Sequence, residues 1–254
     1  MKVISIDVGN TNTKLDIWEN NSHIRNYIFH DAGEIAKEQI NWDDVDGVCL
    51  STVTKSDADS ISEVIERHGL ELIPFGNENV KEYVGNSYSV TLGADRLAAW
   101  LGAREHASAL PVLIVDAGTA LTIDVSDKDG NFKGGNISLG LSSRLKSLHE
   151  YTSRLPLVDK EGDVTLFAHD TVSAIRNGAV NGVIAEIEYY YDKIKNKYGD
   201  CILIITGGDA ETLLPHLQRP DVNLIYDPYL VGRGLNFHFR MNSKKRFEKG
   251  LQMN

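Results

Sequence analysis

Within one short stretch, Asp7-Val8-Gly9-Asn10-Thr11-Asn12-Thr13-Lys14 brings together a carboxylate, a glycine, hydroxyls and an amine. Asp7 closes the apolar run KVISIDV, so its carboxylate stands at a strand end, where it can orient Mg²⁺ directly or through water. Gly9 lets the backbone turn and approach a ligand without a Cβ. The following N–H groups, from Asn10 onward, and the Thr11 hydroxyl can donate to phosphate oxygens, and Lys14 adds positive charge. Gly-Asn is also good hairpin-turn chemistry, so a plain turn accounts for the same residues. Val115-Asp116-Ala117-Gly118-Thr119-Ala120 repeats the pattern: a carboxylate at a strand end, a glycine turn and a hydroxyl. Two such loops suit phosphoryl transfer, in which positioning and charge stabilisation supply most of the catalysis. Thr206-Gly207-Gly208-Asp209-Ala210 lies at a strand-to-helix junction. Its paired glycines let the chain lie flat against a base or ribose, and Asp209 suits a helix N-cap; a simple capped turn is the alternative. Finally, Gly93-Ala94-Asp95-Arg96 offers Asp95 as a base and Arg96 as a planar cationic fork for a carboxylate. Out of context, the favoured reading is Asp95 as a helix cap and Arg96 as surface charge.

The elements that position these residues follow from periodicity. Strands are expected at 2–8, 13–19, 23–29 and 47–52, helices around 33–40 and 56–68, a loop over 74–92 and a helix from Gly93 to about His106. After Pro111 come strands at 112–116, 119–126 and 131–137, the last after an Asp-Gly turn. Helices follow at 140–150 and 171–197, the second with Ala174, Ile175, Val180, Ile184 and Ile187 near one stripe. A strand at 201–206 precedes a helix at 209–217, and the tail from Ser243, rich in lysine and arginine, reads as a solvated terminus. The Asp-x-Gly loop with its Asp-bearing strand (Asp16, then Asp124) recurs about 110 residues later, and GVCLST is echoed by CILIIT. The fold class is therefore α/β, with a duplicated domain.

Bulk properties exclude several functions. Lys and Arg total 26 against 36 acidic residues, a net charge of −10, which disfavours nucleic acid or a membrane surface as partner. Any anion site must be locally basic. Cys49 and Cys201 sit in apolar runs, as expected of inert thiols in a reduced, cytoplasmic protein. The N-terminus opens directly into a strand with no signal-peptide pattern, and no apolar run is long enough for a membrane helix. The histidines have no metal-ligand spacing; His23, His30 and His238 read as surface or strand residues. Tyr189-Tyr190-Tyr191 reads as core or dimer packing.

The three loops, in this order, resemble the actin-like ATPase superfamily. Gly93-Ala94-Asp95-Arg96, just before the second loop, resembles the Gly-x-Asp-Arg signature of type III pantothenate kinases, and the likeness runs from Asp7 to about Gly234. Gly134-Gly135-Asn136-Ile137-Ser138-Leu139-Gly140 resembles that family's glycine-rich segment, with Leu139 where proline is usual. Tyr88-Ser89-Val90-Thr91 likewise lacks the proline common before Leu-Gly. The resemblance implies two actin-like, ribonuclease H-like domains, 1–110 and 111–254, flanking an ATP cleft. It implies transfer of the ATP γ-phosphate to the primary hydroxyl of pantothenate, the first step toward coenzyme A. Asp7, Gly9, Asn10, Thr11, Lys14, Gly118 and Thr119 would hold the phosphates, with Gly207 and Gly208 beside the adenosine. Asp95 would be the general base. Gly93, Ala94 and Arg96 would bind pantothenate, and Thr171 would reach it across a homodimer. Mg²⁺ would travel with ATP, and K⁺ or NH₄⁺ would bind near Asp116. Rival readings are an actin-like kinase for another small carboxylate, and a regulatory protein of the same fold.

Overall fold

The computed structural model describes residues 1–9, 11–38, 40–52, 55–85, 88–106, 109–217 and 219–252, with residues 55 and 244–252 described for their backbone alone. The chain forms two compact units: Met1–His106 with Tyr229–Asn254, and Ala107–Pro228.

The first unit holds β1 (Lys2–Val8), β2 (Thr13–Glu19), β3 (Ser22–Phe29), β4 (Gly47–Thr52) and β5 (Leu72–Phe75), in sheet order β3-β2-β1-β4-β5. Its helices are α1 (Lys55–Arg67), α2 (Glu78–Val84) and α3 (Ala94–Ala103). β1 is central, antiparallel to β2 and parallel to β4. Val3, Ile4 and Ile6 are wholly buried, which is why this strand reads as a continuous apolar run rather than an alternating one. β3 is an edge strand and leaves Ile24 and Ile28 exposed.

The second unit holds β6 (Val112–Ala117), β7 (Ala120–Ser126), β8 (Phe132–Leu139), β9 (Ile202–Thr206) and β10 (Asn223–Tyr226). Its helices are α4 (Leu141–Glu150), α5 (Thr171–Tyr198) and α6 (Ala210–Leu213). Its sheet order, β10-β9-β6-β7-β8, is the first sheet's order reversed, and the strand directions match: β6 is antiparallel to β7 and parallel to β9, as β1 is to β2 and β4. The expected duplication is thus real at the level of topology. Its core packs Leu113, Val115, Leu121 and Ile123 with Ile175, Val180, Val183 and Ile187 of α5, a helical stripe as expected except that Ala174 faces solvent.

The last helix, α7 (Leu230–Gln252), corrects the expected boundary of 111–254. It belongs to the first unit, where it packs on α3 and β1. The approach to α3 is so close that glycines are required on both sides. A Cβ on Gly102 would overlap the Leu230 carbonyl oxygen, and one on Gly234 would overlap that of Ala98. Sandwiched in this way, α3 buries Leu97, Ala98, Ala99, Trp100 and Leu101, so it is apolar nearly all round. His238, on α7, is buried rather than superficial and shares a 2.7 Å hydrogen bond with the Tyr83 hydroxyl.

Other differences have local causes. The stretch expected as loop contains β5 and α2; Pro74 is tolerated because β5 is an edge strand paired only with β4. The helix expected at 33–40 is a short 3₁₀ turn, Ala32–Ala36, capped by the Asp31 carboxylate accepting from the Gly33 N–H at 2.7 Å. The helix expected at 209–217 tightens after α6 into a 3₁₀ turn at Leu214–His216 that contains Pro215. The backbone of the expected solvated tail is helical as far as Gln252. Among the described residues, no helix is long and apolar enough to cross a membrane.

Replacing Gly234 with Ala forces overpacking against α3, which costs about 1–3 kcal/mol. The melting temperature of Gly234→Ala is expected to fall by several degrees, and unchanged thermal unfolding would show that α7 does not seat on α3 this closely.

Candidate active site

In the first unit, the register Asp7↔Lys14 between β1 and β2 sets this acid and amine directly opposite each other on one face of the sheet. On its other side, Asp7 is in register with Ser51 of β4, which is buried. The turn that follows is closed by the Gly9 N–H donating to the Asn12 carbonyl at 3.1 Å. Thr11 is exposed at its tip, and Lys14 is half-buried. Asn10, expected among the phosphate ligands, lies outside the described residues.

The second unit repeats the arrangement. Asp116 is the penultimate residue of β6, as Asp7 is of β1, and is in register with Thr122 of β7 and the buried Thr206 of β9. The Gly118 N–H donates to the Ala120 carbonyl at 3.0 Å, leaving Thr119 exposed. Two neighbours brace this turn. The first residues of α4 lie against it: the Gly140 N–H and the Ser143 hydroxyl both donate to the Thr119 carbonyl, at 3.1 and 2.6 Å, and Gly140 has no room for a Cβ beside the Gly118 carbonyl. On the other side lies the third loop. The Asp209 N–H donates to the Ala117 carbonyl at 2.9 Å. Gly207, at φ +98°, would place a Cβ 2.5 Å from the Ala117 backbone and from Asp116 Oδ1. Gly208 is exposed, with nothing within 4 Å of where its Cβ would stand.

Asp209 departs from expectation. It precedes α6, but its side chain caps nothing there. The carboxylate is buried and accepts from Lys160 Nζ at 2.6 Å, the Ser142 hydroxyl at 3.2 Å and the Ser142 N–H at 3.3 Å.

The Asp95-Arg96 pair opens α3, after Gly93 in the N-cap position and Ala94 as the first helical residue. Asp95 Oδ1 accepts from the Arg96 N–H at 2.8 Å, one of the donors a helix start leaves without an intrahelical partner. Asp95 itself stays exposed. Arg96 is buried, only 6% exposed, with its guanidinium 5.6 Å from the centre of the Tyr88 ring, so the surface-charge reading fails. A carboxylate in solvent beside a cation held in the protein is an arrangement that can grip an anionic molecule and act on its polar group. Thr171 is exposed as the first residue of α5, behind the N-cap Asp170, which accepts the Ser173 N–H at 3.0 Å. The hydrogen bonds from Ser173 hold the Asp170 carboxyl below the usual carboxylate range.

Residues 3–193 match the family model for type III pantothenate kinase. A type III pantothenate kinase from Flavobacterium johnsoniae is 32% identical over 227 residues, covering 85% of this chain and 90% of that one. The chain belongs to the type III pantothenate kinase family. Among solved structures, a conserved Baf family chain from Campylobacter jejuni, described as a transcriptional activator, superimposes with a TM-score of 0.55 over 94% of this chain and 97% of its own. The activator of 2-hydroxyisocaproyl-CoA dehydratase from Clostridium difficile, solved with ADPNP, gives 0.50 over 98% of each chain. At 19% and 11% identity these two show the fold alone.

In this member of the pantothenate kinase family, sequence reasoning missed the Lys160–Asp209–Ser142 link. Lys160 falls in an irregular stretch between α4 and α5 with no periodicity to mark it. Ser143 was equally silent, being one of several serines in α4.

The two glycines of the third loop are expected to behave oppositely. Gly207→Ala meets both a left-handed φ and a backbone clash, and should lower the melting temperature by several degrees. Gly208→Ala should leave it within about a degree, as expected at an open surface position. Equal thermal shifts for the two variants would contradict this geometry.

Proposed function

We propose that this chain transfers the γ-phosphate of ATP to the primary hydroxyl of pantothenate. The observation that carries this reading, beyond the family match, is the exposed Asp95 carboxylate beside the buried Arg96 guanidinium at the start of α3. Arg96 offers a planar fork to the substrate carboxylate, and its ring contact with Tyr88 keeps that fork from swinging into solvent. With the far end of pantothenate fixed, its hydroxyl is presented to Asp95, which accepts the proton as the new P–O bond forms. A carboxylate suffices as the acceptor, because phosphoryl transfer is loose and proton removal comes late. Gly93 and Ala94 form the backbone beside the acceptor. Thr171, exposed at the start of α5, contributes from a second copy of the chain.

Each unit offers a phosphate loop of its own: Gly9, Thr11 and Lys14 after β1, Gly118 and Thr119 after β6. The open face at Gly208 receives the adenosine, with Gly207 shaping the turn behind it. Asp7 and Asp116 are half-buried carboxylates at strand ends, each in register with a buried hydroxyl residue, and such hard oxygen groups fit a divalent ion arriving with ATP. That ion supplies neutralisation of phosphate charge when bound. Asp116 also fits a monovalent cation, K⁺ or NH₄⁺, in a chain whose net charge of −10 leaves anionic substrates short of fixed positive partners. Assembly as a homodimer is supported by the second unit, which leaves Leu157, Leu166, Phe167 and Tyr189 more than half exposed, whereas Tyr191 is core. The absence of nucleic-acid and membrane partners and a cytoplasmic location complete the reading.

A coupled ADP-release assay with pantothenate, glucose or acetate tests the acceptor; turnover equal on all three would overturn it. Asp95→Asn keeps an oxygen for the Arg96 N–H and should remain as stable as wild type while kcat drops by about 10²–10⁴-fold. Gly93→Ala leaves every functional group in place, but its new Cβ collides with the Asp95 carboxylate, so kcat should fall with little change in melting temperature. Arg96→Lys should mainly raise KM for pantothenate. An Asp95→Asn enzyme that is folded and near wild-type in kcat would remove Asp95 as the base.

For cation and assembly, the expectation is turnover stimulated by K⁺ or NH₄⁺ over Na⁺ and a dimer by light scattering at micromolar protein. Full activity in sodium alone, or from a monomer, would refute the corresponding part.

A further inference from the structure

The buried Asp209 carboxylate and its partners have no place in the reaction as described. Asp209 is the residue immediately after Gly207-Gly208, and its own N–H is bonded to the Ala117 carbonyl in the Asp116–Gly118 turn. One residue therefore ties the third loop to the second through its backbone. Its side chain ties the same point to α4 through Ser142 and to the irregular α4–α5 segment through Lys160.

Lys160 is not a wandering surface lysine. Its ammonium is 2.6 Å from Asp209 Oδ1, with the lysine side chain 28% and the aspartate side chain 8% exposed. The preceding residue is fixed as well: the Asp159 carbonyl accepts from Arg176 Nε of α5 at 3.0 Å. Two residues further on, Gly162, at φ +128°, lies against the Arg176 guanidinium with no room for a Cβ. The segment that presents Lys160 is thus tied to α5 by a hydrogen bond at Asp159 and passes close to the same arginine at Gly162.

We propose that Lys160 is a positioning residue for nucleotide binding: by neutralising buried Asp209 it holds the Gly207-Gly208 loop against the Asp116–Gly118 turn. The inference rests on the assignment of these loops to ATP. A carboxylate this well buried needs a cation as well as neutral donors. Without the ammonium, Asp209 is left with Ser142 alone and turns toward water, and the loop that follows β9 moves with it. Gly207, wedged on the Ala117 backbone, then lifts, and the flat face at Gly208 is lost.

The test compares Lys160→Met, which keeps the length of the stem and removes the charge, with Lys160→Arg, which restores a cation. ATP affinity is read by isothermal titration in the absence of pantothenate, alongside KM for each substrate and the melting temperature. Lys160→Met should weaken ATP binding about tenfold, the scale of one charge-assisted hydrogen bond. KM for pantothenate should change less than KM for ATP, and Lys160→Arg should recover most of the loss. ATP affinity equal to wild type in Lys160→Met overturns the proposal. So does a loss in which ATP and pantothenate weaken equally in step with a lower melting temperature, without rescue by arginine. Because the readout is nucleotide binding, a wild-type chain that binds ATP but fails to phosphorylate pantothenate overturns only the acceptor reading. One that does not bind ATP overturns both.

Discussion

Close backbone approach at glycine is the constraint on which the second unit's loops depend. The turn after β6 bonds one N–H within itself, from Gly118 to the Ala120 carbonyl, and is otherwise held from behind, through its carbonyls. The carbonyls of Ala117, Gly118 and Thr119 all face inward, where Gly207, Asp209, Gly140 and Ser143 meet them at distances that exclude a Cβ at both glycines. The turn is held firmly because its neighbours touch its main chain directly. The first unit's turn carries a comparable internal bond, from Gly9 to the Asn12 carbonyl.

The duplicated sheet explains why the same chemistry appears in both units. In each, the central strand runs parallel to one neighbour and antiparallel to the other, so its carboxylate end faces a strand end on one side and a hairpin start on the other. A hydroxyl residue on the parallel neighbour, Ser51 or Thr206, is carried into register with the acid by pairing alone. Nothing about the acid has to be arranged separately once the sheet has formed.

This explains which parts of the molecule were legible in sequence. Strands buried on both faces give unbroken apolar runs, so β1, β4, β6 and β9 could be placed from Ile, Val and Leu alone. The turns were legible as turns because glycine beside polar residues at the end of an apolar run breaks the strand there. Edge elements were harder: Pro74 argues against a strand unless it is known that only one side is paired. Helix α7 was hard to place because its buried residues include the polar Asn236 and His238 beside Leu230, Leu235 and Phe239. Arg96 was ambiguous because burial of an arginine depends on what surrounds it, here a tyrosine eight positions earlier at a place no periodicity marks. Lys160 and Asp209 stand 49 residues apart, and no local pattern records a pairing at that range.

The return of the chain to its first unit orders the events of synthesis. The second unit is one continuous stretch, Ala107–Pro228, and needs nothing that leaves the ribosome later. The first unit is interrupted: its five strands and α3 emerge early, but the glycine-lined face of α3 at Ala98 and Gly102 has no cover until Leu230 and Gly234 have been made. The earlier-made unit is therefore the later one to mature, and during that interval its nascent chain exposes apolar surface of the kind that chaperones bind.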